Sequence, residues 1–79
     1  MLHVYNRIET KPEVMLGKPV VKGTRIPVEL IVRKLGEGAS VEDLLDAYPN
    51  LTREDVQAAL IYAADTLANE TTIYLETGT

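Results

Sequence analysis

Apolar residues recur at helical spacing in three stretches of this chain. Val28, Ile31, Val32 and Leu35 stand at i, i+3, i+4 and i+7, one continuous face. They predict a first helix over residues 27–35. Glu29 falls in its first turn and Arg33 and Lys34 in its last, the charges that each end of a helix dipole favours. Gly36 or Gly38 supplies the stop. Ser40-Val41-Glu42-Asp43 opens a second helix with a capping box in which Asp replaces Glu. Val41, Leu44 and Leu45 point inward, Tyr48 extends that face, and Pro49 ends the helix. Thr52-Arg53-Glu54-Asp55 repeats the cap logic and starts a third helix, with Leu51 and Val56 placed as a hydrophobic staple. Its predicted core face is Val56, Ala59, Leu60, Ala63 and Leu67. Ala58, Ile61 and Tyr62 form a second apolar face on the same helix. A helix apolar on both faces is buried on both, so one face is expected to meet another subunit or a partner.

Before the first helix the pattern changes. Leu2, Val4 and Ile8 alternate weakly, so residues 1–16 read as mostly extended or irregular. Val14-Met15-Leu16 is a short apolar run that enters the core or pairs as an edge strand. The stretch 17–29 then holds two glycines and two prolines. Pro19-Val20-Val21 reads as a short strand. Gly23-Thr24 reads as a turn, with Gly23 at a positive φ that a side chain would strain. Ile26 is pushed towards extended geometry by the proline after it. Pro27 suits the first helical position, where a missing N–H costs nothing. Beyond Leu67, Thr71-Thr72-Ile73-Tyr74-Leu75 is β-prone and predicts either a terminal strand or an arm that orders on a partner. The expected architecture is mainly α: a three-helix helix-turn-helix bundle preceded by short β-strands. It forms a single domain over 1–79, divided into a strand and turn segment (1–26), a helical bundle (27–68) and a C-terminal arm (69–79).

Size changes the picture. A chain of 79 residues holds a marginal core and usually needs a staple. It has no cysteine, and its one histidine is His3. Disulfides are excluded, and a zinc site lacks its usual ligands. Oligomerisation is the staple left, so a homodimer is expected. No apolar run approaches the roughly 20 residues of a membrane span, and a soluble, cytoplasmic protein is expected. The net charge of −4 is unevenly spread. Residues 1–34 carry seven cations against three acids, and the rest carry only Arg53 against nine acids. Such asymmetry marks a nucleic-acid or partner surface, or a solvated surface with chance clustering.

Catalytic chemistry finds little here. Acid–base work wants a histidine or a carboxylate pair held in a cleft. His3 sits at a terminus, while Glu42, Asp43, Asp46, Glu54 and Asp55 read as capping and surface charge. No enzyme activity, metal or cofactor is expected. Gly17-Lys18 and Gly23-Thr24 lack the spacing of a phosphate loop. Duplex DNA is a candidate partner, with phosphate contacts from Lys18, Lys22, Arg25, Arg33 and Lys34, joined by Arg53 and Gln57 on the later helix. Arg25 has a competing structural role, pairing with Glu29 at i+4 or bonding loop carbonyls. Ala58, Ile61 and Tyr62, with Ile73 and Tyr74 beyond them, are the candidate dimer or partner interface.

The run Gly17-Lys18-Pro19-Val20-Val21-Lys22-Gly23-Thr24-Arg25-Ile26-Pro27-Val28 resembles the signature of a short bacterial and archaeal family, domain of unknown function four-three-three. The similarity continues through Ser40 to Leu45, Tyr48 to Thr52 and Ala58 to Ala64, roughly residues 8–66. It departs at Glu13-Val14-Met15-Leu16 and after Thr66. The resemblance implies a homeodomain-like helix-turn-helix preceded by short strands. It also implies a VapB-like antitoxin that binds and neutralises a PIN-like ribonuclease toxin and binds operator DNA as a dimer. The competing expectation is a dimeric protein-interaction module without DNA binding, whose acidic half meets a basic partner. Salt-dependent duplex binding separates the two.

Overall fold

The computed structural model describes residues 4–13 and 15–70, and the side chains of all of these except Val4, Tyr5, Met15 and Glu70. One helical turn, α1 (Val4–Arg7), leads into strand β1 (Ile8–Glu9), which pairs antiparallel with β2 (Val20–Val21). Ile8 faces Val21 and Glu9 faces Val20 in the register. Three helices follow: α2 (Val28–Gly36), α3 (Val41–Ala47) and α4 (Arg53–Glu70). The core is one cluster: Ile8 and Val21 from the ribbon, Val28 and Ile31 from α2, Leu44 from α3, and Leu51, Val56, Ala58 and Ala59 around the start of α4.

The turn after β2 explains the Gly-Thr pair. Thr24 N–H donates to the Val21 carbonyl at 3.0 Å, closing a four-residue turn. Gly23 takes the third position at φ +80°, where a type II turn favours glycine. The Thr24 hydroxyl donates to the same carbonyl at 2.7 Å and accepts from Ile26 N–H at 3.0 Å. Glu9 accepts the Gly23 N–H at 3.0 Å. Nothing lies within 4 Å of a Cβ added at Gly23, so strain there is purely conformational. Gly23→Val is expected to lose on the order of 1–3 kcal/mol, read as a lower thermal midpoint. An unchanged midpoint would contradict this account of the turn.

The ends of α2 follow from local chemistry. Pro27 is its N-cap, at φ −71° and ψ 147°, one position before the predicted helical site. The displacement has a cause: the Val28 N–H is drawn to the Pro19 carbonyl at 2.9 Å, so the strand segment fixes where the helix begins. At the other end Gly38 lies at φ +108°. Gly38 N–H reaches the Leu35 carbonyl and Ala39 N–H reaches that of Lys34, which is a Schellman stop. Ser40 and Asp43 form the predicted capping box on α3, with bonds of 3.0 and 2.9 Å. Thr52 and Asp55 form the same box on α4, at 3.1 and 3.0 Å.

Three expectations are corrected. Val4 to Arg7 form a helical turn and not an extended segment. Leu16 is neither core nor strand: it sits in a 3₁₀ turn (Met15–Gly17) at φ 57° and is 94% exposed. Its left-handed backbone, followed by Gly17 at φ 83°, turns the side chain to solvent before β2. On α4, Leu60 and Leu67 are exposed and not buried, while Ala58, assigned to the second face, is fully buried. The buried arc runs through Asp55, Val56, Ala58 and Ala59. At about 100° per residue the inward face is rotated by roughly 70° from the predicted one. Two alanines in that arc let α4 lie close to its neighbours, and a buried aspartate that hydropathy assigns to the surface shares the arc. Ile73, Tyr74 and the predicted terminal strand lie outside the described residues.

Candidate functional site

The predicted cationic surface is largely neutralised by its own neighbours. Lys18 Nζ lies 3.1 Å from Glu29 Oε1, and Arg33 reaches the other oxygen of that carboxylate at 3.8 Å. Lys34 lies 3.8 Å from Glu37, and Arg53 donates to Glu42 at 2.7 Å. Glu29 therefore serves Lys18 and Arg33, and not Arg25 as one reading of the i+4 spacing suggested. Lys11 and Arg7 are paired as well, with Glu9 and Asp55. Among the described residues, Lys22 and Arg25 form no ion pair with a carboxylate; both are exposed beside the Gly23 turn. Gln57 is exposed on α4, next to Glu54 and away from that turn in sequence.

These pairs leave their mark on the carboxylates. The Gly23 N–H holds Glu9 below its ordinary value of 4.5, with Lys11 adding to the effect. The hydrogen bond from Lys18 does the same for Glu29, and that from Arg53 for Glu42. A carboxylate whose pKa is lowered by folding stabilises the fold above its unfolded pKa. That contribution is lost as pH falls through the folded value. The thermal midpoint is therefore expected to hold near neutrality and to drop on acidification below about 4.5. Glu9→Gln should drop less over the same range, and an equal drop would show that the turn carboxylate takes no part. All three groups are solvated, so each effect is small.

One carboxylate is different. Asp55 is 8% exposed and is the buried charged residue of the described structure. Its Oδ2 accepts Thr52 N–H at 3.0 Å, and its Oδ1 accepts from Arg7 Nη1 at 3.0 Å. The cap was legible in the sequence, whereas the cation lies 48 residues away. This pair ties α1 to the start of α4.

Helix α4 presents two apolar surfaces. Its outward stripe runs through Gln57, Leu60, Ile61 and Ala64, with Leu60 and Ile61 each 39% exposed. Acidic Glu54 and Asp65 lie alongside, and no cation follows Arg53 on this helix. Of the interface residues read from sequence, Ile61 lies here. Tyr62 is half-buried against the core, and Ala58 is inside it. The second surface is an open groove of about 660 Å³ between α2 and the second half of α4. Pro19, Val28, Val32, Tyr62, Ala63 and Leu67 line it, with Glu29, Arg33 and Glu37 at its rim. Sequence periodicity missed the groove, because its lining comes from two helices at once and no single-helix pattern records that. No group of three histidine, cysteine or acidic side chains among the described residues is arranged to hold a metal ion. No helix among them is long and apolar enough to cross a membrane.

The family model described as "Protein of unknown function (DUF433)" matches residues 8–63. The chain is 41% identical over 56 residues to "Uncharacterized protein y4eO" of Sinorhizobium fredii. That match covers 71% of this chain, and the chain spans only 25% of the length of that curated relative. A crystal structure of a DUF433 member protein from Anabaena variabilis matches with a TM-score of 0.75 at 36% identity, over 94% of this chain and 70% of that one.

Proposed function

The chain belongs to the DUF433 family, and from that premise we propose that it is a cytoplasmic binding module of the antitoxin type, which covers a PIN-like ribonuclease and performs no chemistry itself. The observation that carries this reading is the outward stripe of α4. Leu60 and Ile61 are left in solvent at the middle of the longest helix, among acids. A surface that cleaves RNA must attract phosphate and is basic, so an apolar stripe with acidic flanks is complementary to it. The ion pairs favour protein over DNA as the partner, since most of the cations named for phosphate contact already have carboxylates beside them. Asp55, the buried carboxylate, is engaged by a cap and an arginine and is thus poorly placed for catalysis.

A second reading has its own observation. Lys22 and Arg25 stand exposed on one turn with no ion pair among the described residues, although the Lys22 charge is felt at Glu9, and in a dimer they would supply four cations to a duplex. Co-expression with a small PIN-like ribonuclease encoded beside this chain tests the first reading. Wild-type protein is expected to restore growth and to co-elute with the ribonuclease. Ile61→Glu should weaken the complex at least tenfold, about 1.4 kcal/mol, while Lys22→Ala leaves it intact. A complex indifferent to Ile61→Glu and lost with Lys22→Ala would reverse the assignment.

A further inference from the structure

The α2–α4 groove is a second apolar surface, distinct from the outward stripe. At about 100° per residue, Tyr62, Ala63 and Thr66 continue the arc of α4 in which Val56 and Ala59 are buried. Val28 and Val32 supply the facing wall from α2, Val28 buried and Val32 packed against the core cluster. The Thr66 hydroxyl donates to the Tyr62 carbonyl at 3.0 Å and so meets its own helix. Leu67 stands as a ridge at the margin, 55% exposed. Two helices thus turn apolar stripes towards one open space, which is half of a four-helix bundle.

The charges on the rim choose the other half. Along α2 they run Glu29, Arg33, Glu37, with the sign alternating at each turn of helix. All three side chains are more than half exposed, and the ion pairs that Arg33 and Glu37 make within the chain are long, at 3.8 Å. A wholly acidic or wholly basic partner meets like charge somewhere on this rim. A copy of the rim laid antiparallel does not, because Arg33 of each then falls opposite Glu29 or Glu37 of the other. The outward stripe behaves differently. Glu54 and Asp65 flank it and no cation follows Arg53 on α4, so two copies of the stripe repel.

We propose that a second copy of this chain occupies the groove, in a two-fold dimer whose α2 and α4 helices close into a four-helix bundle. Leu67 of each protomer enters the groove of its partner over Ala63, whose small side chain leaves the room. The Arg33–glutamate pairs at the rim set the register. The dimer supplies the staple that a chain of 79 residues without cysteine needs. It leaves the outward stripe to a different partner, so the two surfaces work independently.

The test uses the full chain. Sedimentation at micromolar concentration is expected to give twice the monomer mass. Leu67→Asp alters an exposed residue, so the circular dichroism should be unchanged while the dimer dissociation constant rises roughly tenfold or more. Arg33→Glu makes the rim wholly acidic, and Glu29→Lys with Glu37→Lys makes it wholly basic. Each of these two proteins alone should sediment as a monomer, and mixing them should restore a dimer. Ile61→Glu should leave the wild-type dimer intact. In a mixture of labelled and unlabelled copies, methyl cross-peaks should join Leu67 of one protomer to Ala63 of its partner. A monomeric wild type overturns the proposal, as does a dimer indifferent to Leu67→Asp and to the charge reversals. A dimer lost only with Ile61→Glu overturns it in favour of the outward stripe. Cross-peaks from Val32 and Leu67 to residues 71–79 of the same copy overturn it in favour of the chain's own C-terminal segment.

Discussion

Asp55→Ala is expected to destabilise the protein by about 2–3 kcal/mol. Two losses combine. The capping box on α4 loses the oxygen that accepts Thr52 N–H, a hydrogen bond of about 0.5–1 kcal/mol. The charge-assisted bond from Arg7 also disappears, and such bonds contribute roughly 1.5–3 kcal/mol when shielded. The lower half of that range applies, because the Arg7 side chain is 38% exposed and regains water. A domain of this size holds about 4–12 kcal/mol in all, so the variant surrenders a large share. Asp43→Ala is the internal control. It removes the same box on α3 from an exposed site, and the cap term alone applies. Denaturant unfolding should rank Asp55→Ala well above Asp43→Ala, with Arg7→Ala between them. Equal effects for the two aspartates would mean that the Arg7 pair adds nothing.

Ile31→Ala is expected to cost about 2–5 kcal/mol, the largest effect of any single change considered. Ile31 is wholly buried near the middle of α2, in the cluster that joins the ribbon to all three helices. Removing three carbons there leaves a cavity that a small, close-packed core collapses around only partly. The contrast with Leu60→Ala is the sharper result. Periodicity assigns Leu60 to the core, but 39% of it is exposed, so its truncation should cost well under half as much. Equal losses at Ile31 and Leu60 would contradict the rotation of α4 described above. Each kilocalorie lowers the melting point by roughly 4–8 °C in a domain of this length, so the two variants separate easily.

Helix α2 and both capping boxes were legible because their signals are local. The apolar spacing, the dipole charges and the glycine stop all lie within a dozen residues of each other, and the fold keeps them. The Gly23 turn was legible for the same reason, since its closing bond from Thr24 to Val21 is local, whereas the bond from Gly23 to Glu9 was not. Pro27 was placed one position too far into the helix because it bridges Val20 across the ribbon, and that pairing keeps its backbone extended. The face of α4 was misread for a longer-range cause. Asp55 looks like surface charge until Arg7 is brought to it by the folded chain, and alanines at 58 and 59 look too small to define a core face. The candidate site shared this fate. Ile61 was found because it is apolar and outward, but Ala58 was taken with it, and the neutralisation of the cations by Glu29, Glu37 and Glu42 depends on side-chain reach.

In the proposed function the outward stripe of α4, and not the basic turn, meets the macromolecular partner. The most direct test is a nuclear magnetic resonance titration of isotope-labelled protein, once with the partner ribonuclease and once with duplex DNA. The ribonuclease is expected to shift and broaden the methyls of Leu60 and Ile61 while the amides of Lys22 and Arg25 stay in place. Perturbation confined to Lys22 and Arg25, with Leu60 and Ile61 untouched by either ligand, would contradict it.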